Sequence, residues 1–151
     1  MSELLYIYYN PYSLFVWGAC WGSFLNVVLY RYPLGKSVVT PPSSCPSCQR
    51  LIPWYENIPV FSWFYLAGKC RGCQAPFSIR YALNEAFYGV IWSVGAIIWP
   101  DQPLAGSSAS LATMALVPSA WLFLRHKKAP AYLWITLLVA IGIHLGQLFL
   151  G

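Results

Sequence analysis

The chain has 151 residues, 58% of them hydrophobic and only 9% charged, with nine Lys or Arg against four Asp or Glu and a net charge of +5. Mean hydropathy is +0.54. A water-soluble domain usually carries about 25% charged residues, so this composition excludes an ordinary soluble protein and points to an integral membrane protein.

In chain order, residues 1–12 read as a short external tail. They contain no basic n-region, and the first apolar run is followed rather than preceded by Arg31, so an uncleaved anchor is expected. Residues 13–30 are the first apolar run near the length that crosses hydrocarbon as a helix; 82–99, 104–124 and 132–150 are the others. The third is diluted by Gly106, Ser107, Ser108, Ser110, Thr113, Pro118 and Ser119, small residues that suit close helix contacts in lipid. The expected fold is an all-α membrane protein of about four transmembrane helices with a cytosolic, zinc-ribbon-like four-cysteine loop between the first and second.

That loop, residues 31–81, holds the chemistry. Cys45-Pro46-Ser47-Cys48 and Cys70-Arg71-Gly72-Cys73 stand with 21 residues between them. Two Cys-x-x-Cys turns at this spacing can direct four thiolates at one tetrahedral zinc ion. The loop also has Pro33, Pro41, Pro42, Pro46, Pro53, Pro59 and Pro76, so helices and an ordinary core are disfavoured and metal is expected to hold it. Structural zinc contributes roughly 10 to 16 kcal/mol of apparent folding free energy in small peptides. Between the cysteine pairs, Ile58 to Leu66 is apolar and aromatic but too short to span. It is expected on the membrane surface or packed on the helices.

The cations set the orientation. Arg31, Lys36, Arg50, Lys69, Arg71 and Arg80 lie between the first two spans, and Arg125, Lys127 and Lys128 fall in the basic 125–131 loop. Retention of Lys and Arg on the cytoplasmic side puts both loops inside and both termini in the periplasm. The positive charge is thereby explained by topology, and no nucleic-acid partner is expected; the lipid bilayer is the partner. In the reducing cytosol the paired cysteines are expected as metal-bound thiolates, not disulfides.

Other residues admit plainer readings. Cys20 is expected to be buried mid-span as a small packing residue. Glu85, near the loop-side start of the second span, is expected to be paired by Arg80, Tyr81 or Asn26. His126 reads as a solvated interfacial side chain, His144 as an interhelical hydrogen-bonding residue, and Asp101 as a turn residue.

The blocks Gly22-Ser23-Phe24-Leu25-Asn26 through Arg31, Cys45-Pro46-Ser47-Cys48, Trp54-Tyr55-Glu56-Asn57-Ile58-Pro59 with Ser62-Trp63, Gly68-Lys69-Cys70-Arg71-Gly72-Cys73, and Arg80-Tyr81 with Glu85 occur in this order over positions 22 to 85. Together they resemble the bacterial type IV prepilin peptidase family. The resemblance implies an inner-membrane, bifunctional enzyme that removes the leader of type IV pilins and type II secretion pseudopilins and then N-methylates the new terminus. It also implies a methyl-transfer segment at Gly68 and Lys69, with S-adenosylmethionine as methyl donor.

The resemblance also exposes a gap. The family's hydrolysis resembles aspartic-protease chemistry, in which two carboxylates share a proton and activate water. Asp101 is the single aspartate, and Glu3, Glu56 and Glu85 are scattered. Laid on the family pattern, Trp121 to Ala131 keeps a Pro at position 130, but Phe123 falls at the first aspartate position and Ala131 at the Asp/Asn position after the Pro. No later Gly-Asp motif follows. Peptidase action by this chain alone is therefore not expected, and retained methyl transfer is left open. Two classes remain: an enzymatic half that methylates pilin precursors or works with a separate peptidase subunit, and a non-catalytic accessory or prepilin-binding relative. A zinc hydrolase fits poorly, since four cysteines leave no open position for water.

Overall fold

The computed structural model describes residues 8–150, with the side chains of 148–150 left undescribed; most of the expected external tail, residues 1–7, lies outside the described part. Among the described residues the regular structure is helical. Helix α1 covers Pro11–Arg31, a short α2 covers Phe61–Tyr65, α3 covers Arg80–Ile98, α4 covers Pro103–His126 and α5 covers Ala131–Leu150, with single 3-10 turns at Tyr32–Leu34 and Trp54–Glu56.

The ends of the long helices have local causes. The Asn10 side chain accepts from the Tyr12 and Ser13 amides at 3.1 and 3.0 Å, and Pro11 occupies the first helical position, where its missing N–H costs nothing. Pro103 opens α4 in the same way. Lys127 ends α4 in the left-handed conformation, φ 56°, with its amide donating to the Phe123 carbonyl at 2.8 Å.

Helices α1 and α3 pack antiparallel along their length. Gly18 lies against the Tyr88 and Gly89 backbone, Gly22 against Glu85 Cα at 2.8 Å for an added Cβ, and Gly89 against Phe15. Helix α4 meets α3 through Gly95, Gly106 and Ser110, and the Trp92 indole donates to Met114 Sδ at 2.6 Å. Helix α5 lies on α4, where Ser108 Oγ and His144 Nδ1 are hydrogen-bonded at 3.2 Å. Small residues let backbones approach, which suits association without a hydrophobic driving force between helices in lipid. Leu14, Leu25, Val28, Tyr88, Met114 and Leu122 fill the shared core.

Among the described residues three helices are long and apolar enough to cross a membrane: Pro11–Leu34 with its 3-10 extension, Arg80–Ile98 and Pro103–His126. The described part of the fourth, Ala131–Gln147, is apolar but shorter. Outward side chains such as Trp17, Val90, Ile97, Leu124 and Leu138 are exposed and apolar, as a lipid-facing surface requires. The protein is thus an all-α membrane protein with its cysteine loop between the first and second long helices.

One expectation about packing is corrected. Cys20 is exposed, not buried. Gly18 and Gly22 turn toward α3, and a residue two positions from each, about 200° around the helix, falls on the opposite side.

Candidate metal centre

Each cysteine pair sits in the same tight turn. In the first, the Cys45 amide donates to the Arg50 carbonyl and the Gln49 amide to the Cys45 carbonyl, both at 2.9 Å. In the second, Cys70 donates to Ala75 and Gln74 to Cys70, again at 2.9 Å. Gln49 and Gln74 both stand at φ 59°, and an isolated bridge closes each turn, Ser44 with Leu51 and Lys69 with Pro76. The loop therefore contains two copies of one knuckle, offset by 25 positions. Bridges, not strands, do the work expected of a ribbon.

The knuckles face each other. Cys45 Sγ is 3.8 Å from Cys73 Sγ, Cys48 Sγ is 4.0 Å from Cys70 Sγ, and all four sulfurs lie within 4.8 Å of one another. A disulfide would need about 2.05 Å. A tetrahedron with arms of about 2.3 Å, the zinc–sulfur distance, has edges of about 3.8 Å. The donor set and its spacing thus fit a tetrahedral thiophilic cation. Cys45 and Cys70 are buried, while Cys48 and Cys73 are exposed.

Electrostatics agree. The backbone amide of Cys48, helped against burial by that of Ser47, holds the Cys45 thiol down at about 6. The amides of Cys73 and Gly72 lower Cys70. Against the pull of the Ala75 amide, the Cys48 thiol, burial and the other two sulfurs push Cys73 up to about 11. Four sulfurs this close do not all ionise unaided, and a bound cation is what lets the full set become thiolate.

An ion cluster locks the knuckles together. Arg50, in the first, donates to Glu56 through both terminal nitrogens at 2.7 and 3.0 Å; Arg71, between the cysteines of the second, is 3.6 Å from the same carboxylate. Glu56 is buried, and its hydrogen bonds from Arg50 hold its carboxyl below the usual range despite burial. The Arg50 stem passes over Gly72, where an added Cβ would come within 3.0 Å of Cδ. As a possible acid, Glu56 stood in the sequence as one of three scattered carboxylates; the signals for it were its place in the Trp54-to-Pro59 block and its position six residues after Arg50.

Gly68 and Lys69 lead into the second knuckle. Gly68 stands at φ +65° beneath the Trp63 ring, where a Cβ would approach Cζ2 at 2.8 Å, and the Trp63 indole donates to the Phe77 carbonyl at 3.2 Å. Lys69 is exposed beside it. Both line a cavity of about 760 Å3 between the loop and the loop-side ends of α1 and α3, together with Asn26, Lys36, Tyr81 and Glu85.

Glu85 has a partner other than those expected. Its Oε2 accepts from the Val60 backbone amide at 2.7 Å, and the Ser23 hydroxyl also reaches the carboxylate. Asn26 is engaged elsewhere: its amide donates to the Tyr81 carbonyl at 3.2 Å and its Oδ1 accepts from Asn84 at 3.0 Å. The two positions singled out for the missing aspartates, Phe123 and Ala131, stand exposed at the end of α4 and the start of α5, away from the cysteines in the chain. His126 packs against Trp121, and Asp101 is exposed in the turn between α3 and α4.

Comparison with known proteins gives a consistent result. The model of the bacterial peptidase A24 N-terminal domain matches residues 16–101. The prepilin leader peptidase/N-methyltransferase of Myxococcus xanthus (strain DK1622) is 53% identical over 79 residues, 52% of this chain and 24% of the relative. The type 4 prepilin-like proteins leader peptide-processing enzyme of Escherichia coli O78:H11 is 38% identical over 130 residues, 74% of this chain and 46% of the relative. The prepilin leader peptidase/N-methyltransferase of Dichelobacter nodosus is 31% identical over 173 residues, covering 93% of this chain and 60% of the relative. The chain spans less than two thirds of each of these relatives. No solved structure matches it. The matched segment runs from α1 through both knuckles to the end of α3, and the chain belongs to the prepilin leader peptidase/N-methyltransferase family through its bacterial peptidase A24 N-terminal domain.

Proposed function

We propose that residues 1–151 form the membrane-anchored, zinc-binding N-terminal part of the prepilin-processing machinery, set in the bacterial inner membrane with the knuckle loop in the cytoplasm and both termini in the periplasm. The observation that carries this reading is the cluster of Cys45, Cys48, Cys70 and Cys73 between two helices that fit a bilayer, inside the matched domain. Zinc suits four sulfurs at tetrahedral spacing, and its role is structural, because a closed shell leaves no site for substrate or water.

The substrates are type IV prepilins or type II secretion pseudopilins. Methyl transfer falls to the cavity beside Gly68 and Lys69, which at about 760 Å3 is within the range of small-molecule sites and opens on the side where S-adenosylmethionine is made. Cleavage is not supplied by these residues: the only aspartate, Asp101, is in a turn at the far end of α3, and Glu56 is consumed by two arginines. That observation favours a second reading, an accessory that binds prepilin and leaves hydrolysis to a separate peptidase subunit.

One experiment separates the readings. The purified chain, in detergent or nanodiscs, is incubated with S-adenosylmethionine and either a prepilin or a pilin supplied already leader-free, and the products are weighed by mass spectrometry. A mass gain of one methyl group on a leader-free pilin supports the methyltransferase. An unmodified pilin that co-purifies with the chain supports the accessory. Leader removal by the chain unaided contradicts the missing aspartyl pair.

A further inference from the structure

The segment Ile58–Leu66 is tied to the helices well below their ends. Glu85, the acceptor of the Val60 amide, is five residues into α3, about 7.5 Å along its axis from Arg80. On the neighbouring helix the same level is Gly22, whose added Cβ would meet Glu85 Cα at 2.8 Å. Gly22 is nine residues before the end of α1, about 13 Å along its axis from Arg31. Asn57 and Pro59 share a second cavity of about 350 Å3 with Cys20, Phe24 and Arg31 of α1, so this stretch of loop runs alongside the loop-side half of that helix.

The local chemistry suits hydrocarbon. Phe61, Phe64 and Tyr65 are 61%, 64% and 65% exposed, more than half of each ring uncovered by protein. Phe61 and Tyr65 stack with centroids 6.0 Å apart. The polar backbone is turned inward. The Phe61 amide donates to the Pro59 carbonyl at 2.6 Å across Val60, which stands at φ 63° and ψ −56°, the uncommon hand of the γ-turn and a costly conformation for a β-branched residue. That turn presents the Val60 amide to Glu85. Ser62, Leu66 and Gly68 amides donate to the Ile58, Ser62 and Trp63 carbonyls at 2.9, 2.9 and 2.7 Å. Non-helical backbone at membrane depth persists only where its polar groups are satisfied by protein, and a buried carboxylate in a membrane helix needs such a task.

We propose that Ile58–Leu66 is a re-entrant wedge inserted in the leaflet on the loop side of the membrane, with Phe61, Phe64 and Tyr65 in contact with lipid and Glu85 receiving the backbone amide that its turn would otherwise strand. The wedge fixes the knuckles against the bilayer surface and gives the large cavity a wall adjoining lipid. The inference rests on α1 and α3 crossing the bilayer and is independent of catalysis.

The test is photo-crosslinking of the full chain in phospholipid vesicles, with p-benzoylphenylalanine placed singly at Phe64, at Tyr65, at Leu51 on the first knuckle and at Val90 on the outer face of α3. Lipid adducts at Phe64 or Tyr65 comparable to those at Val90, and several-fold above those at Leu51, support the wedge. Adducts at Val90 but only background at both wedge positions overturn it while leaving the spans intact. Background at all four positions overturns the spanning helices themselves, and protein-only adducts at the wedge overturn lipid as its occupant.

Discussion

Arg50 grips Glu56 through both ends of its guanidinium group, at 2.7 and 3.0 Å, and so joins the first knuckle to the 3-10 turn that carries the chain toward the second. Arg71 approaches the same carboxylate from the other knuckle. The fork geometry matches a carboxylate, which lysine cannot reproduce.

Removing that carboxylate leaves two arginines facing each other beside the metal site. Glu56→Ala should weaken metal retention by roughly ten- to a hundredfold, the usual effect of losing a supporting partner around a metal site. Arg50→Lys should fall between it and the wild type. Competition with a chelator, followed by metal analysis, checks both.

The thiols give the loop an acid limit. Cys45 is lowered to about 6 from the ordinary thiol value, so its contribution is complete above that ordinary value and is lost as pH falls through about 6. Protons compete with the metal for all four thiolates, so retention should weaken steadily as pH falls from 7 to 5. Retention measured across that window, with proteolysis of the loop as a second readout, tests the sign.

Helix association depends on glycine at the α1–α3 contact. Gly22→Ala puts a Cβ 2.8 Å from the Glu85 backbone and should destabilise by about 1 to 3 kcal/mol, as overpacking does. Gly142, with nothing within 4 Å, is the control: Gly142→Ala should be neutral or stabilising by up to about 1 kcal/mol. Thermal unfolding in one detergent compares them.

Gly68 and Lys69 are separable. Gly68→Ala faces both a φ of +65° and the Trp63 ring, and should cost structure whatever the chemistry of the segment. Lys69→Ala should leave metal content unchanged, since the side chain is exposed and the Glu56 ion pairs are made by Arg50 and Arg71. A loss of methylation in Lys69→Ala with normal metal content would place Lys69 in methyl transfer.

Val60 and Glu85 should be coupled. Glu85→Ala strands the Val60 amide, while Val60→Gly removes the steric cost of positive φ. The double variant should therefore recover part of the loop's protease resistance lost in Glu85→Ala alone.

The cysteine knuckles and the helical character were legible because both are local signals: ligand pairs a few residues apart and apolar runs near the length of a bilayer. The ion clamp was not, because Glu56 reaches Arg71 only after the metal-site turns have formed. The tie between Val60 and Glu85 joins positions 25 residues apart through a turn that propensity disfavours. Cys20 was misplaced although its orientation was readable: Gly18 and Gly22, four apart, mark the close-packed face and leave Cys20 on the other. Small residues, more than hydropathy, identify which side of such a helix is inside.

The claim on which the rest depends is that both knuckles hold one zinc ion. X-ray absorption at the zinc edge of the purified, membrane-extracted protein measures it directly. About one zinc per chain, surrounded by four sulfurs near 2.3 Å, is the expected result. Nitrogen or oxygen in the shell, fewer than four sulfurs, or a metal-free protein with Cys45 and Cys73 joined as a disulfide would contradict it.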